Sequence, residues 1–195
     1  PSHRTTKSGR ICQSYSNYLR DKVSRNQESQ WLAGSRRKTQ PAGSWLLRQG
    51  EPQSKIHLLH HGVARAVYHA DNGIERVKEF YFAGEYCFLY LNWLTNTPAD
   101  YSLQMIAAGK TTEIPLALLD APENQEIKTQ LLVQQLIYKE KKEQMLLLNT
   151  PEQRYQYVQT HFPDWESQLT QRDLANYIGI TPVSLSRIRQ RLNKG

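Results

Sequence analysis

Cysteine is nearly absent from this chain. Among 195 residues only Cys12 and Cys87 occur, far apart and outside any metal-ligand spacing. Two separated thiols supply neither a disulfide framework nor the cysteine cluster of an iron–sulfur centre, and they suit a reducing compartment. No run of about 18 apolar residues is present, and the polar, basic N-terminal stretch has no apolar core, so neither a membrane span nor a signal peptide is expected. The expectation is a soluble, cytoplasmic protein with no membrane partner. A Walker-type loop, a nucleophile–base pairing and a paired-carboxylate motif are missing too, which argues against an enzyme. There is no internal repeat and no long low-complexity segment.

What is present is uneven charge. The formal net charge is +7, with residues 1–40 carrying +7, residues 41–149 carrying −2 and residues 150–195 carrying +2. Overall basicity is therefore mostly an N-terminal effect and does not by itself locate a polyanion site. Arg4, Lys7 and Arg10 fit a flexible basic arm over residues 1–17. Arg36-Arg37-Lys38 is either a phosphate contact or a solvated cluster beside the first strand.

The most specific local pattern lies at the C-terminal end. Leu174, Ala175 and Ile178 keep helical spacing, and Gly179 follows where a helix terminus favours a residue tolerant of positive φ. Thr181 is placed to cap a second helix, with Pro182 at its first position, where a missing N–H costs nothing. Leu185, Ile188 and Leu192 form its apolar face, while Ser184, Ser186, Arg187, Arg189 and Arg191 point elsewhere. From Pro182 to Gly195 there are four basic residues and no acidic one. One buried stripe, uncompensated guanidinium groups and small hydroxyl residues match the second helix of a helix-turn-helix that reads double-stranded DNA. The plain alternative is a helical hairpin with a basic solvated face, serving a small-molecule-binding or protein-interaction module.

Upstream, the pattern changes twice. Between Trp45 and Ile114, short β-like runs are punctuated by glycine: Ile56–His60, Val63–Tyr68 after Gly62, Ile74–Phe82 after Asn72-Gly73, then Leu103–Ala107 and Thr111–Ile114. Such spacing predicts an antiparallel barrel or jelly roll, and Asn72-Gly73 predicts a hairpin. From Glu123 to Leu148 neither proline nor glycine occurs, and the period becomes helical. Ile127, Leu131, Gln134, Tyr138, Lys141, Met145 and Leu148 mark a 4,3 repeat on a helix of roughly 26 residues, about 39 Å long. That face serves either a dimer seam or packing on the chain's own strands. Asn149-Thr150-Pro151-Glu152 predicts a linker and a fresh helix start, with Tyr155 and Val158 turned inward.

Asp173-Leu174-Ala175, Tyr177-Ile178-Gly179-Ile180-Thr181 and Leu185-Ser186-Arg187-Ile188 resemble the C-terminal domain of the Crp/Fnr family of bacterial transcription regulators. Arg48-Gln49-Gly50-Glu51, Leu58-Leu59-His60-His61-Gly62-Val63-Ala64 and Phe82-Ala83-Gly84-Glu85 are similar to landmarks of that family's cyclic-nucleotide-binding-type domain. The resemblance implies an α+β chain: an antiparallel β-roll (jelly-roll) sensor over 18–119, a long dimerisation helix over 120–149, and a winged-helix-like helix-turn-helix domain over 150–195. It also implies a homodimer on a near-palindromic operator, acting on RNA polymerase. In that alignment Pro182, Val183 and Arg187 fall at base-contacting positions, with Ser184 and Ser186 beside them. Gln171, Thr181, Arg189 and Arg191 fall at phosphate- or sugar-facing positions.

The family's phosphate cassette combines a Gly-Glu pair with a later arginine. Gly84 and Glu85 are present, but the segment Pro98-Ala99-Asp100-Tyr101-Ser102-Leu103 puts Tyr101, or Asp100 on a one-residue shift, where the cation belongs. A phenol lacks the charge and a carboxylate repels phosphate, so cyclic AMP is not expected and no cofactor is assigned. Gly84, Glu85, Tyr86, Tyr101 and Ser102 remain the candidate pocket for an unknown small-molecule effector. The neighbouring Cys87, Phe88, Tyr90 and Trp93 either line it with Tyr86 or pack as core. His57, His60, His61 and His69 invite a metal or haem reading, but His60 and His61 are adjacent and on a strand face opposite sides, so no metal is expected.

Overall fold

The computed structural model describes residues 31–193, apart from 33, 34 and 36. The expected basic arm, Cys12 and Arg36 lie outside the described residues. Two compact units are present, divided between Thr129 and Gln130.

The first unit is an antiparallel sheet of six strands among the described residues: β1 (Arg37–Gln40), β2 (Trp45–Leu47), β3 (Lys55–His69), β4 (Glu75–Tyr81), β5 (Tyr86–Cys87) and β6 (Ser102–Pro115). A short helix, α1 (Tyr90–Thr95), and 3-10 turns at Leu116–Asp120 and Pro122–Asn124 complete it. β3 and β6 pair along nearly their full lengths and form the spine. β1 and β2 flank β6, β4 and β5 flank β3, and the ladder stays open, without closing into a barrel. Lys38 of β1 pairs with Glu113 of β6 at 2.8 Å, so this part of the basic cluster is held by a carboxylate.

The predicted runs on either side of Gly62 are one strand, and those on either side of residues 108–110 are another. Glycine here marks a bulge and a close approach within a strand, not a turn between strands. Gly62 has φ +92° and sits where the β3–β6 register slips between Leu59 and Ala64. Opposite it, a Cβ on Gly109 would lie 1.9 Å from the His61 carbonyl oxygen. The hairpin at Asn72-Gly73 forms as the dipeptide predicts: Gly73 has φ +76°, the Asn72 side chain accepts from the Ile74 N–H, and β4 folds back on β3. Leu59, Ala64, Cys87, Leu89, Leu103 and Met105 form part of the buried core on this bent spine.

α2 (Gln125–Leu148) runs for 24 residues, as the stretch without proline or glycine predicts. The second unit contains most of α2 together with α3 (Pro151–His161), α4 (Trp165–Gln168), α5 (Gln171–Tyr177) and α6 (Pro182–Leu192), and no strand among the described residues. Thr150 and Gln153 form a reciprocal capping box ahead of α3, with Pro151 at its first position. Tyr155, Val158, Leu174, Ile178, Leu185 and Ile188 are buried in this unit, and the Phe162 and Trp165 rings stack at 4.2 Å.

Replacing Gly109 with alanine should destabilise the strand unit by about 3 kcal/mol or more, because backbone must move. Gly73→Ala meets no neighbour within 4 Å and should cost only about 1–2 kcal/mol for its left-handed backbone. Urea unfolding followed by circular dichroism checks the difference; equal losses would contradict the close-approach account.

Candidate nucleic-acid interface

Local chemistry sets the turn between α5 and α6. Thr170 caps α5 by accepting from the Asp173 N–H. The helix ends at Tyr177, and Gly179, with φ +74°, reverses the chain so that the Ile180 N–H donates to the Ala175 carbonyl at 2.9 Å. Thr181 then accepts from the Ser184 N–H at 3.1 Å and starts α6. The Gln171 side-chain amide donates to the Pro182 carbonyl at 2.7 Å, tying the start of one helix to the start of the other.

Burial of Leu185 and Ile188 sets the rotation of α6. At 100° per residue, the opposite face carries Val183 and Gln190 at its centre, Arg187 and Ser186 about 50° to either side, and Pro182 and Arg191 at its margins. Val183 is 60% exposed, and Arg187 and Gln190 are exposed. Gln190 was absent from the sequence-predicted set. Its position on the outward face required the rotation that the buried pair defines.

The three arginines of α6 differ in their partners. Arg189 donates from Nε to the Tyr155 hydroxyl at 3.1 Å, and its Nη2 lies 3.2 Å from a Glu166 carboxylate oxygen, to which the Tyr155 hydroxyl also donates. Burial and the Glu166 hydrogen bond push the Tyr155 hydroxyl above its ordinary pKa, so it stays protonated as the donor. Arg191 pairs with Glu152 at 3.0 Å, but its side chain is 67% exposed, and such a pair is worth about 0–1 kcal/mol. Arg187 has no ion-pair partner among the described residues.

A fourth arginine organises this unit from the side. Arg154, near the start of α3, donates to the Leu146 carbonyl at 2.7 Å, the Asn149 carbonyl at 3.0 Å and the Ile178 carbonyl at 3.1 Å. These groups sit at the end of α2, in the linker and at the end of α5, where carbonyls lack helical partners and favour a cation. The Tyr138 and Tyr177 hydroxyls share a hydrogen bond at 2.9 Å, and the Lys142 ammonium lies 3.9 Å from the Tyr177 ring centroid. α2 is thereby braced against the helix-turn-helix within the unit.

On α2, Ile127, Leu131 and Met145 are buried by their own chain, Gln134 and Tyr138 are half-buried, and Leu148 is exposed. Val133, Leu136 and Leu147 are also exposed, on the side of the helix facing away from Met145.

In the strand unit the cassette-like residues engage one another. The Gly84 N–H donates to the Leu59 carbonyl, and the Glu85 carboxylate accepts from the Phe82 N–H at 2.8 Å. Tyr86 and Trp31 pack in a T-shaped arrangement with ring centroids 6.1 Å apart. Ser102 is buried, its hydroxyl accepting from the Gln49 N–H at 2.9 Å. Tyr101 is 3% exposed and packs in the sheet core. Its hydroxyl accepts from Lys78 Nζ at 3.2 Å, and burial pushes that hydroxyl's pKa up. A cation does stand beside Tyr101, but it comes from β4 and lies 3.7 Å from the Glu79 carboxylate. Sequence reading missed Lys78, one of four charged residues in a strand of seven, with no local pattern to single it out. Phe88, Tyr90 and Trp93 are buried against one another, with Phe88 and Tyr90 ring centroids 4.1 Å apart. The histidines are dispersed: His57 is buried, which lowers its pKa to about 4, His60 bonds Thr112 at 2.7 Å, and His61 is exposed. Among the described residues no group of three or more His, Cys, Asp or Glu side chains is placed to hold a metal ion.

No protein-family model matches the chain, and no curated protein matches its sequence. Solved structures do match its fold. FixK2 from Bradyrhizobium japonicum is 16% identical with a TM-score of 0.68, covering 82% of this chain and 85% of that one. The c-di-GMP-responsive global regulator CLP from Xanthomonas campestris is 18% identical with a TM-score of 0.66, covering 87% and 91%. Catabolite activator protein from Thermus thermophilus is 18% identical with a TM-score of 0.52, covering 88% and 84%. The chain thus has a Crp/Fnr-type fold.

Arg154→Ala should lower the stability of the helical unit by about 1.5–3 kcal/mol, the range for a hydrogen-bonded charged group. Arg154→Lys should not restore it, since one ammonium cannot span three carbonyls as a planar fork does. Thermal unfolding measures both; full rescue by lysine would contradict the clamp.

Proposed function

We propose that this chain is a sequence-specific DNA-binding transcription regulator that acts as a homodimer on a near-palindromic operator and recruits or obstructs RNA polymerase. The observation that carries the reading is the outward face of α6: Arg187, without an ion-pair partner among the described residues, flanked by Val183, Ser186 and Pro182 on a helix whose opposite side is buried. The Crp/Fnr-type fold shared with transcription regulators supports it.

Arg187 reads sequence in this proposal, because one guanidinium can bond guanine O6 and N7 together. Val183 reads shape or a thymine methyl. Ser184, Ser186, Thr181 and Gln171 position the helix against sugar and phosphate, and Arg191 exchanges Glu152 for phosphate at small cost. Arg189 braces α6 through Tyr155 and Glu166. The dimer seam is assigned to the exposed Val133, Leu136 and Leu147 side of α2, since Ile127, Leu131 and Met145 are already covered. Cyclic AMP is not its signal in this reading: Tyr101 fills core space, and Glu79 counters the nearby Lys78 charge. The regulator is assigned to the bacterial cytoplasm, with any effector other than cyclic AMP.

Arg187→Ala should weaken binding to a duplex selected by the protein by about 5–150-fold, with little loss on random duplex. Arg191→Ala should weaken both and reduce the salt slope by about 1. Salt-titrated gel shifts compare them; equal losses on both duplexes for Arg187→Ala would end its specificity role.

A further inference from the structure

We infer that Gln190 is a second base-reading side chain, specifying an adenine next to the guanine read by Arg187; the inference rests on the DNA-binding reading above. Gln190 lies at the centre of the face opposite Leu185 and Ile188, one turn beyond Arg187 and on the same side. It is exposed and makes no hydrogen bond among the described residues. Its neighbours Arg189 and Arg191 are engaged with Glu166 and Glu152, which leaves Arg187 and Gln190 as the long polar side chains of α6 whose hydrogen-bonding groups are uncommitted among the described residues.

The chemistry suits a base edge better than a phosphate. A primary amide presents one donor group and one acceptor in a plane, the complement of adenine N7 and N6 in the major groove, whereas a phosphate offers acceptors alone and favours a cation. Spacing agrees. Residues three apart on a helix are separated by roughly 4.5 Å along its axis. Successive base pairs are about 3.4 Å apart along one strand. Arg187 and Gln190 therefore reach adjacent steps when the helix lies along the groove. Val183, roughly 6 Å before Arg187, meets a position about two base pairs away on the other side.

The probe is the duplex that the wild-type protein selects from a random pool, with each base pair then substituted singly. Gln190→Ala should bind this duplex about 5–100-fold more weakly, bind random duplex within about 2-fold of wild type, and leave the salt slope unchanged. The variant should lose discrimination at one adenine per half-site while retaining it at the guanine. Gln190→Arg should move the preference at that adenine towards guanine, a switch that a packing role would not produce. Alanine is a strong helix former at an exposed site, so circular dichroism should show a folded variant. Retention by Gln190→Ala of the wild-type preference at every position would overturn the inference, as would equal losses on both duplexes with a shallower salt slope. A wild-type protein that selects no sequence would instead overturn the DNA-binding reading and this inference with it.

Discussion

The burial of Leu185 and Ile188 is the constraint on which the functional face depends. Each removes a large aliphatic side chain from water, worth about 1.5–3 kcal/mol, and together they allow α6 one rotation against its unit. Once that rotation is set, Val183, Arg187 and Gln190 have to face outward and Arg189 has to turn towards Tyr155 and Glu166. Arginines two positions apart thus acquire opposite duties: Arg189 holds the helix in place, and Arg187, without an ion-pair partner among the described residues, is turned outward.

The surrounding contacts hold that helix through backbone groups as much as through core packing. Gln171 grips the Pro182 carbonyl, and Arg154 collects carbonyls from the end of α2, the linker and the end of α5. Helix ends are where unsatisfied carbonyls accumulate, so one guanidinium there satisfies several groups. The Tyr138–Tyr177 hydrogen bond and Lys142 above Tyr177 add contacts from α2. A change at the end of α2 would therefore be felt first by Arg154 and the α5 terminus, both next to the turn that starts α6.

Local features were legible in the sequence. Gly179, Thr181 and Pro182 act through their own backbone and nearest neighbours, and the α5–α6 turn forms where they stand. The stretch between Glu123 and Leu148 forms a helix because nothing in it breaks one. Features that depend on distant partners were not legible. Gly62 and Gly109 looked like strand boundaries, yet they serve the close crossing of β3 and β6, which only pairing across more than forty residues creates. Arg189 and Arg191 looked like free cations because Glu166 and Glu152 lie elsewhere in the chain. The cation beside Tyr101 was sought in the segment that carries Tyr101, just before β6, and lies on β4. The apolar 4,3 repeat of α2 was visible, but which of its sides the chain covers for itself was not.

The central claim is that α6 reads duplex sequence from each subunit of a dimer. Selection of bound sequences from a random duplex pool, using the full chain, tests it most directly. The account predicts a near-palindromic site whose two half-sites are centred about 34 Å apart, one helical turn of DNA. Recovery of duplexes with no shared sequence, or of a single unrepeated half-site, would contradict it.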